Sequence, residues 1–151
     1  MPRSNRVSPM SEALRVLFLC THNSARSQMA EAFLSELGEG RFQAFSAGTE
    51  ARGLHPLSIQ AMAEVGIDIS FQESKTSDQF VEEPFDLVIT VCDEANEACP
   101  YFANARQRRH WSFPDPSAVD GDDAARFAAF AEVRDAIRDR IERELLAVPT
   151  P

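Results

Sequence analysis

A thiol, an arginine and a serine stand close together in the stretch CTHNSARS, which runs from Cys20 to Ser27. The pattern is Cys-x5-Arg-Ser. Its natural chemistry is that of a nucleophile placed against a tetrahedral oxyanion. A loop of this length can curl until the N–H groups of Thr21, His22, Asn23, Ser24, Ala25, Arg26 and Ser27 point inward. A helix beginning at its end adds partial positive charge. The planar guanidinium of Arg26 suits two oxygens at once. A positive field of this kind favours thiolate over thiol at a cysteine such as Cys20. Asn23 and Ser24 can brace the loop, and Ser27 is the residue best placed to donate to the sulfur. Taken alone, the same spacing also fits a buried cysteine and a surface arginine, so the flanking elements must decide.

The chain has two more thiols, Cys92 and Cys99, in VITVCDEANEACPYF, and one aspartate, Asp115, between two prolines in HWSFPDPS. A cysteine can be an inert core residue, and an aspartate between prolines can be a turn residue. The histidines His22, His55 and His110 have no metal-ligand spacing. His22 lies in the loop, where it can tune the field at Cys20. His55 precedes Pro56 and reads as the start of a helix. His110 beside Trp111 reads as packing.

The elements that would position these groups follow from hydrophobic patterning. Leu14 to Leu19 is a short, nearly uninterrupted apolar run, as expected of a buried strand. The spacing predicts a helix from Ser24 to Leu37, with Met29, Phe33 and Leu37 on one face and Gly38 as its stop. Phe42 to Ser46 reads as a second strand. Pro56 to Val65 reads as a second helix with Ile59, Met62 and Ala63 inward, followed by Gly66. Thr76 to Glu82 can form a short helix, and FDLVITV, Phe85 to Val91, is a clear buried strand. Asp93 to Ala98 suits a turn or two of helix. Arg109 to Phe113 reads as the fourth strand, ended by Pro114 and Pro116. The stripe Phe127, Phe130, Val133, Ile137, Ile141 and Leu145 predicts a long helix over Asp122 to Leu146. The acidic run Asp120 to Asp123 suits the cap of that helix. Strands alternating with helices imply a parallel sheet, whose sites lie beyond the carboxyl ends of its strands. Cys20, Ser46, Cys92 and Asp115 all fall at that edge.

Composition narrows the classes. The 151 residues suffice for one domain with a real core. We expect a polar tail over residues 1–13, a single catalytic domain over 14–147 and a short tail over 148–151. The formal net charge of -9 argues against nucleic acid as a partner, though not against a small anion. There is no apolar run of membrane-spanning length. The opening MPRSNRVSPMSEA has no apolar signal core, so a cytoplasmic, reducing setting is expected. A structural disulfide set is not.

VLFLCTHNSARSQMAEAFL resembles the active-site loop of the low-molecular-weight tyrosine phosphatases and of the three-cysteine arsenate reductases built on the same fold. FSAGTEARGLHPLSIQAMAEVGIDIS resembles the family's second strand and helix, and HWSFPDPS its acid loop. The resemblance extends from Leu14 to about Leu146. It implies a flavodoxin-like three-layer sandwich with a four-stranded parallel sheet, order 2-1-3-4, and helices on both faces. It implies Cys20 as nucleophile, Arg26 as anion fork and Asp115 as general acid. It also implies a relay in which Cys92 attacks Cys20, arsenite leaves, and Cys99 attacks Cys92. A helix between Cys92 and Cys99 would rise about 10 Å, too far for a disulfide, so the intervening segment must rearrange.

The reductant implied is an external dithiol, thioredoxin rather than glutaredoxin with glutathione, and no cofactor is required. Arsenate is the expected substrate, with phosphate or sulfate as competitors. Some relatives hold potassium at positions matching Asn23, Glu31, Ser46 and Asp68. A phosphatase acting through a Cys20 phosphoenzyme is the alternative; it leaves Cys92 and Cys99 idle. Ser117 and Ala118 also follow the Asp-Pro pair where tyrosine phosphatases usually carry aromatics. A non-catalytic arsenite or metal sensor using three thiolates leaves Arg26 and Asp115 idle.

Overall fold

The structure is a computed structural model describing residues 13–93 and 101–147. Four parallel strands form one sheet: β1 Leu14–Cys20, β2 Phe42–Gly48, β3 Phe85–Thr90 and β4 Ala105–His110, in the spatial order β2-β1-β3-β4. The α-helices are α1 Arg26–Leu37, α2 Pro56–Glu64 and α3 Asp123–Ile141. This is the flavodoxin-like order expected. β1 and β3 occupy the centre because their residues are apolar on both faces; Val16 to Leu19 are fully buried.

Alternation along β1 divides the core in two. Val16, Phe18 and Cys20 face the larger part, filled by Met29 and Phe33 of α1, Met62 of α2 and Phe130, Ile137 and Ile141 of α3. Leu17 and Leu19 face the other, where Phe45, Phe80, Phe85 and Phe102 pack edge to face. A 3-10 turn, Ser77–Phe80, brings Phe80 there. It is shorter than the helix expected over Thr76 to Glu82. The guanidinium of Arg15 stacks on the rings of Phe45 and Phe85 at the open end of this cluster.

The fourth strand differs from expectation. It runs over ARQRRH, upstream of Arg109 to Phe113, and most of its side chains are exposed. An edge strand pairs on one side only, and charged side chains there discourage further pairing. Hydrophobic patterning therefore points past it to Trp111 and Phe113, which are buried but belong to the following loop. The register Thr90↔His110 and a bond from Trp111 N–H to Thr90 O, 2.8 Å, carry the chain into that loop.

Smaller corrections have local causes. α1 starts at Arg26, because Ser24 lies within the loop. β2 continues two residues past Ser46, to Gly48, because it stays paired with β1 as far as Cys20. In α2, Ser58, Ala61 and Met62 are buried, whereas Ala63 is exposed and Ile59 half-buried. α3 ends at Ile141, and a single wider turn, Glu142–Leu146, still delivers Leu145 to the core. Asp122 caps α3 as expected, its carboxylate accepting from Ala125 N–H at 2.9 Å. Arg134, also on α3, is buried and donates to Ala61 O at 2.8 Å and Glu64 Oε1 at 2.6 Å, so it fastens α3 to the end of α2. The expectations for residues 1–12, 94–100 and 148–151, Cys99 among them, lie outside the described residues.

Candidate active site

The loop after β1 is shaped from outside. Four successive carbonyls are each held by donors from neighbouring segments. Thr21 O accepts from Glu50 N–H and Thr49 Oγ1, both at 3.0 Å. His22 O accepts from Arg52 N–H at 3.2 Å and Ser74 Oγ at 3.3 Å. Asn23 O accepts from Ser74 Oγ at 2.9 Å and Gln28 Nε2 at 3.1 Å. Ser24 O accepts from His55 N–H at 3.0 Å and Ser58 Oγ at 3.1 Å. In a planar peptide N–H and C=O point opposite ways, so carbonyls turned outward turn the amides inward. α1 begins at Arg26 with no side-chain cap and no acid in its first turn. Its positive end is therefore left for an anion.

Asn23 sits at φ +49°, in the left-handed region, and is fully buried. Asparagine tolerates this conformation better than most residues. Its amide then ties the loop together. Nδ2 donates to Ser27 Oγ at 2.8 Å and Ser46 Oγ at 3.0 Å, while Oδ1 accepts from Gln28 Nε2 at 2.9 Å and Lys75 N–H at 2.7 Å.

Cys20 is a free thiol, 2% exposed, with its sulfur 2.9 Å from Ser27 Oγ. Arg26 is 3% exposed. Its Nη1 donates to Phe113 O at 3.2 Å and its Nη2 stands 4.0 Å from Asp115 Oδ2. The arginine thus links the oxyanion loop to the Asp-Pro loop. Asp115 Oδ1 accepts from Ser117 N–H at 2.9 Å and Ser117 Oγ at 2.7 Å, and so fixes the carboxylate while Oδ2 faces Arg26. Asp115 lies five residues beyond β4 rather than two, yet still reaches the edge where Cys20 stands.

Cys92 is fully buried and disulfide-bonded. Leu19 pairs with Thr90, and Val91 N–H donates to Leu19 O at 2.8 Å. Cys92 therefore follows β3 one residue beyond the point level with Cys20, on an adjacent strand about 5 Å away.

Gly48 marks a constraint that residue types alone did not announce. A Cβ there would lie 2.7 Å from Thr21 O, 2.8 Å from Asn23 N and 2.8 Å from Glu50 O. All three are backbone atoms and cannot swing away. Gly48→Ala is expected to destabilise the fold by about 1–3 kcal/mol and to weaken phosphate protection of Cys20 against alkylation about tenfold. Denaturant titration and peptide-resolved alkylation check the two effects. Gln28, Ser58 and Ser74 were likewise not singled out from the sequence. Their only sequence signal is a polar side chain, which is too common to find them.

His55 caps α2, its Nδ1 accepting from Leu57 N–H at 3.1 Å, and its ring lies 4.6 Å from that of Phe130. Burial, and next Arg126, push its pKa below the ordinary 6.5, against a smaller upward pull from Asp115. The native state then binds fewer protons than the unfolded chain just below that value. Stability is full above about pH 6.5 and declines as pH falls through the window beneath it. His55→Asn keeps a capping acceptor and removes the titrating ring. It should flatten this part of the curve of unfolding free energy against pH.

The potassium set does not fit a cation here. Both lone pairs of Asn23 Oδ1 are occupied by donors. Ser46 Oγ donates to Glu31 Oε1 at 2.5 Å, and Lys75 Nζ stands 3.8 Å from the same oxygen. Asp68 is exposed and accepts from Ser70 N–H at 2.8 Å. No group of three or more His, Cys, Asp or Glu side chains among the described residues could hold a metal ion. Among the same residues, no helix is long and apolar enough to cross a membrane.

Comparison with known proteins agrees with this geometry. Residues 15–148 match the family model described as low molecular weight phosphotyrosine protein phosphatase. An arsenate reductase of Halalkalibacterium halodurans is 44% identical over 127 residues, 84% of this chain and 91% of that protein. A solved arsenate reductase in its phosphate binding state superposes with a TM-score of 0.72 at 32% identity, covering 90% of this chain and 99% of that one. The thioredoxin-dependent arsenate reductase of Corynebacterium glutamicum superposes with a TM-score of 0.61 at 28% identity, covering 91% of this chain and 65% of that one. The chain belongs to the low molecular weight phosphotyrosine protein phosphatase family and stands among its arsenate reductases.

Proposed function

We infer that this protein reduces arsenate to arsenite and passes its oxidising equivalents to an external dithiol of the thioredoxin type. The observation that carries the reading is the placement of a second redox cysteine, Cys92, at the end of the strand beside the one that delivers Cys20. Phosphomonoester hydrolysis needs Cys20, Arg26 and Asp115 but gives Cys92 nothing to do.

The chemistry follows from the arrangement. Arsenate enters the loop with its oxygens on the inward amides and the Arg26 guanidinium. The Cys20 thiolate attacks arsenic, and Asp115 gives a proton to the oxygen that departs as water. Ser27 donates to the sulfur. The Cys92 thiolate then attacks the Cys20 sulfur. The S–As bond breaks, its electron pair stays on arsenic, and arsenite leaves with arsenic reduced by two electrons. A Cys20–Cys92 disulfide remains. Cys99 attacks Cys92, frees Cys20 and leaves Cys92–Cys99, which the external dithiol reduces. Phosphate and sulfate, also tetrahedral, compete for the loop.

The test is turnover with arsenate in parallel thioredoxin and glutaredoxin–glutathione systems, beside hydrolysis of an aryl phosphate. Thioredoxin-driven arsenite release should exceed the other two rates by at least about tenfold. Faster phosphate ester hydrolysis would move the protein to the phosphatase reading.

A further inference from the structure

Behind the loop, polar contacts run without a break from near the surface to the catalytic sulfur. Lys75 Nζ stands 3.8 Å from Glu31 Oε1, which accepts from Ser46 Oγ at 2.5 Å. Ser46 Oγ accepts from Asn23 Nδ2 at 3.0 Å. The other N–H of that amide donates to Ser27 Oγ at 2.8 Å, and Ser27 Oγ lies 2.9 Å from Cys20 Sγ.

The proton inventory gives this chain a direction. A carboxylate only accepts, so the single O–H of Ser46 goes to Glu31. Ser46 can then only accept from Asn23. Both N–H groups of Asn23 point at serines, and its Oδ1 is held by Gln28 Nε2 and Lys75 N–H. Ser27 Oγ accepts from Asn23, so its one O–H remains for the sulfur. A thiolate is an acceptor, and this order of donors suits it. The order depends on Glu31 being ionised. Burial, the largest influence, pushes the Glu31 carboxyl upward, and Ser46 and Lys75 work against it. Glu36 and Asp68 line the same cavity as Glu31. Lys75 is the cation facing it.

We propose that Lys75 and Glu31 are positioning residues for the nucleophile: the ion pair fixes the direction of the Ser46–Asn23–Ser27 hydrogen bonds so that Ser27 donates to the Cys20 thiolate. The proposal rests on Cys20 being the nucleophile. Beyond Ser27, the charged groups on the Cys20 side are Arg26 and, beside it, Asp115. Neither is altered by changes at Lys75 or Glu31.

The experiment is the pH profile of Cys20 alkylation in the reduced full-length protein, read by peptide mass spectrometry, with and without phosphate. Lys75→Met and Glu31→Gln should each move the midpoint upward by roughly half a unit to one unit. Lys75→Arg, which keeps the charge, should stay within about 0.2 units of wild type. In a Ser27→Ala background the Glu31→Gln shift should vanish, because its route to the sulfur is gone. A wild-type midpoint in Lys75→Met and Glu31→Gln, even with lowered thermal stability, would make the pair merely structural and overturn the proposal. So would a Glu31→Gln shift that persists in the Ser27→Ala background. Phosphate protection of Cys20 in the wild type reports separately on the anion loop. Its loss, unlike either of these results, would count against the nucleophile itself.

Discussion

Arg26→Lys lowers kcat/KM for arsenate by about a hundred- to a thousandfold, the usual loss when a transition-state oxyanion donor is removed. The guanidinium is 3% exposed and already fixed by Phe113 O at 3.2 Å, with Asp115 Oδ2 at 4.0 Å from Nη2. A lysine ammonium is a point charge. It can approach one oxygen of the anion but cannot span two while holding the Asp-Pro loop. The loss should therefore appear in kcat as well as KM, because Asp115 is displaced along with the anion. Steady-state kinetics at saturating reductant measure both. A variant within threefold of wild type in both constants would mean that the loop is not where arsenate binds.

Cys92→Ser should reduce multiple turnover by at least about a thousandfold, as expected when a covalent step has no remaining nucleophile. Attack on arsenate by Cys20 does not involve Cys92, so the first bond still forms. What is lost is the thiolate that displaces arsenite, and the end of β3 is where the sheet places it. An arsenic adduct on Cys20 is then the expected trapped species, visible by intact-protein mass spectrometry. Sustained thioredoxin-driven turnover by this variant would make Cys92 a bystander.

The strands that bear the chemistry were legible because burial on both faces leaves a plain apolar run. Leu14 to Leu19 and Phe85 to Val91 lie within a residue of the observed β1 and β3. With them came the positions of Cys20 and Cys92. The fourth strand was not legible, because an edge strand of ARQRRH buries too little to have a pattern. Asp115 came from the resemblance of HWSFPDPS to the family's acid loop, although the strand before it was misplaced. The loop's outer scaffold escaped for a different reason. Ser74, Lys75 and Gln28 act through positions set by tertiary packing, and nothing in their local sequence distinguishes them from surface residues. Gly48 is similar, since its need for a missing Cβ arises from Thr21, Asn23 and Glu50 converging on it. The potassium set shows the converse. All four residue types are present, yet Lys75, which no motif brought forward, faces Glu31 in the ion's stead.

In the proposed relay Cys20 and Cys92 supply two electrons to arsenic, and the resulting disulfide passes from Cys20–Cys92 to Cys92–Cys99. A single-turnover reaction of Cys99→Ser with arsenate, without reductant, followed by arsenite quantification and disulfide mapping, tests it most directly. The account predicts about one equivalent of arsenite per enzyme and a Cys20–Cys92 disulfide in the stopped protein. Arsenite release without that disulfide, or continued turnover once thioredoxin is added, would contradict it.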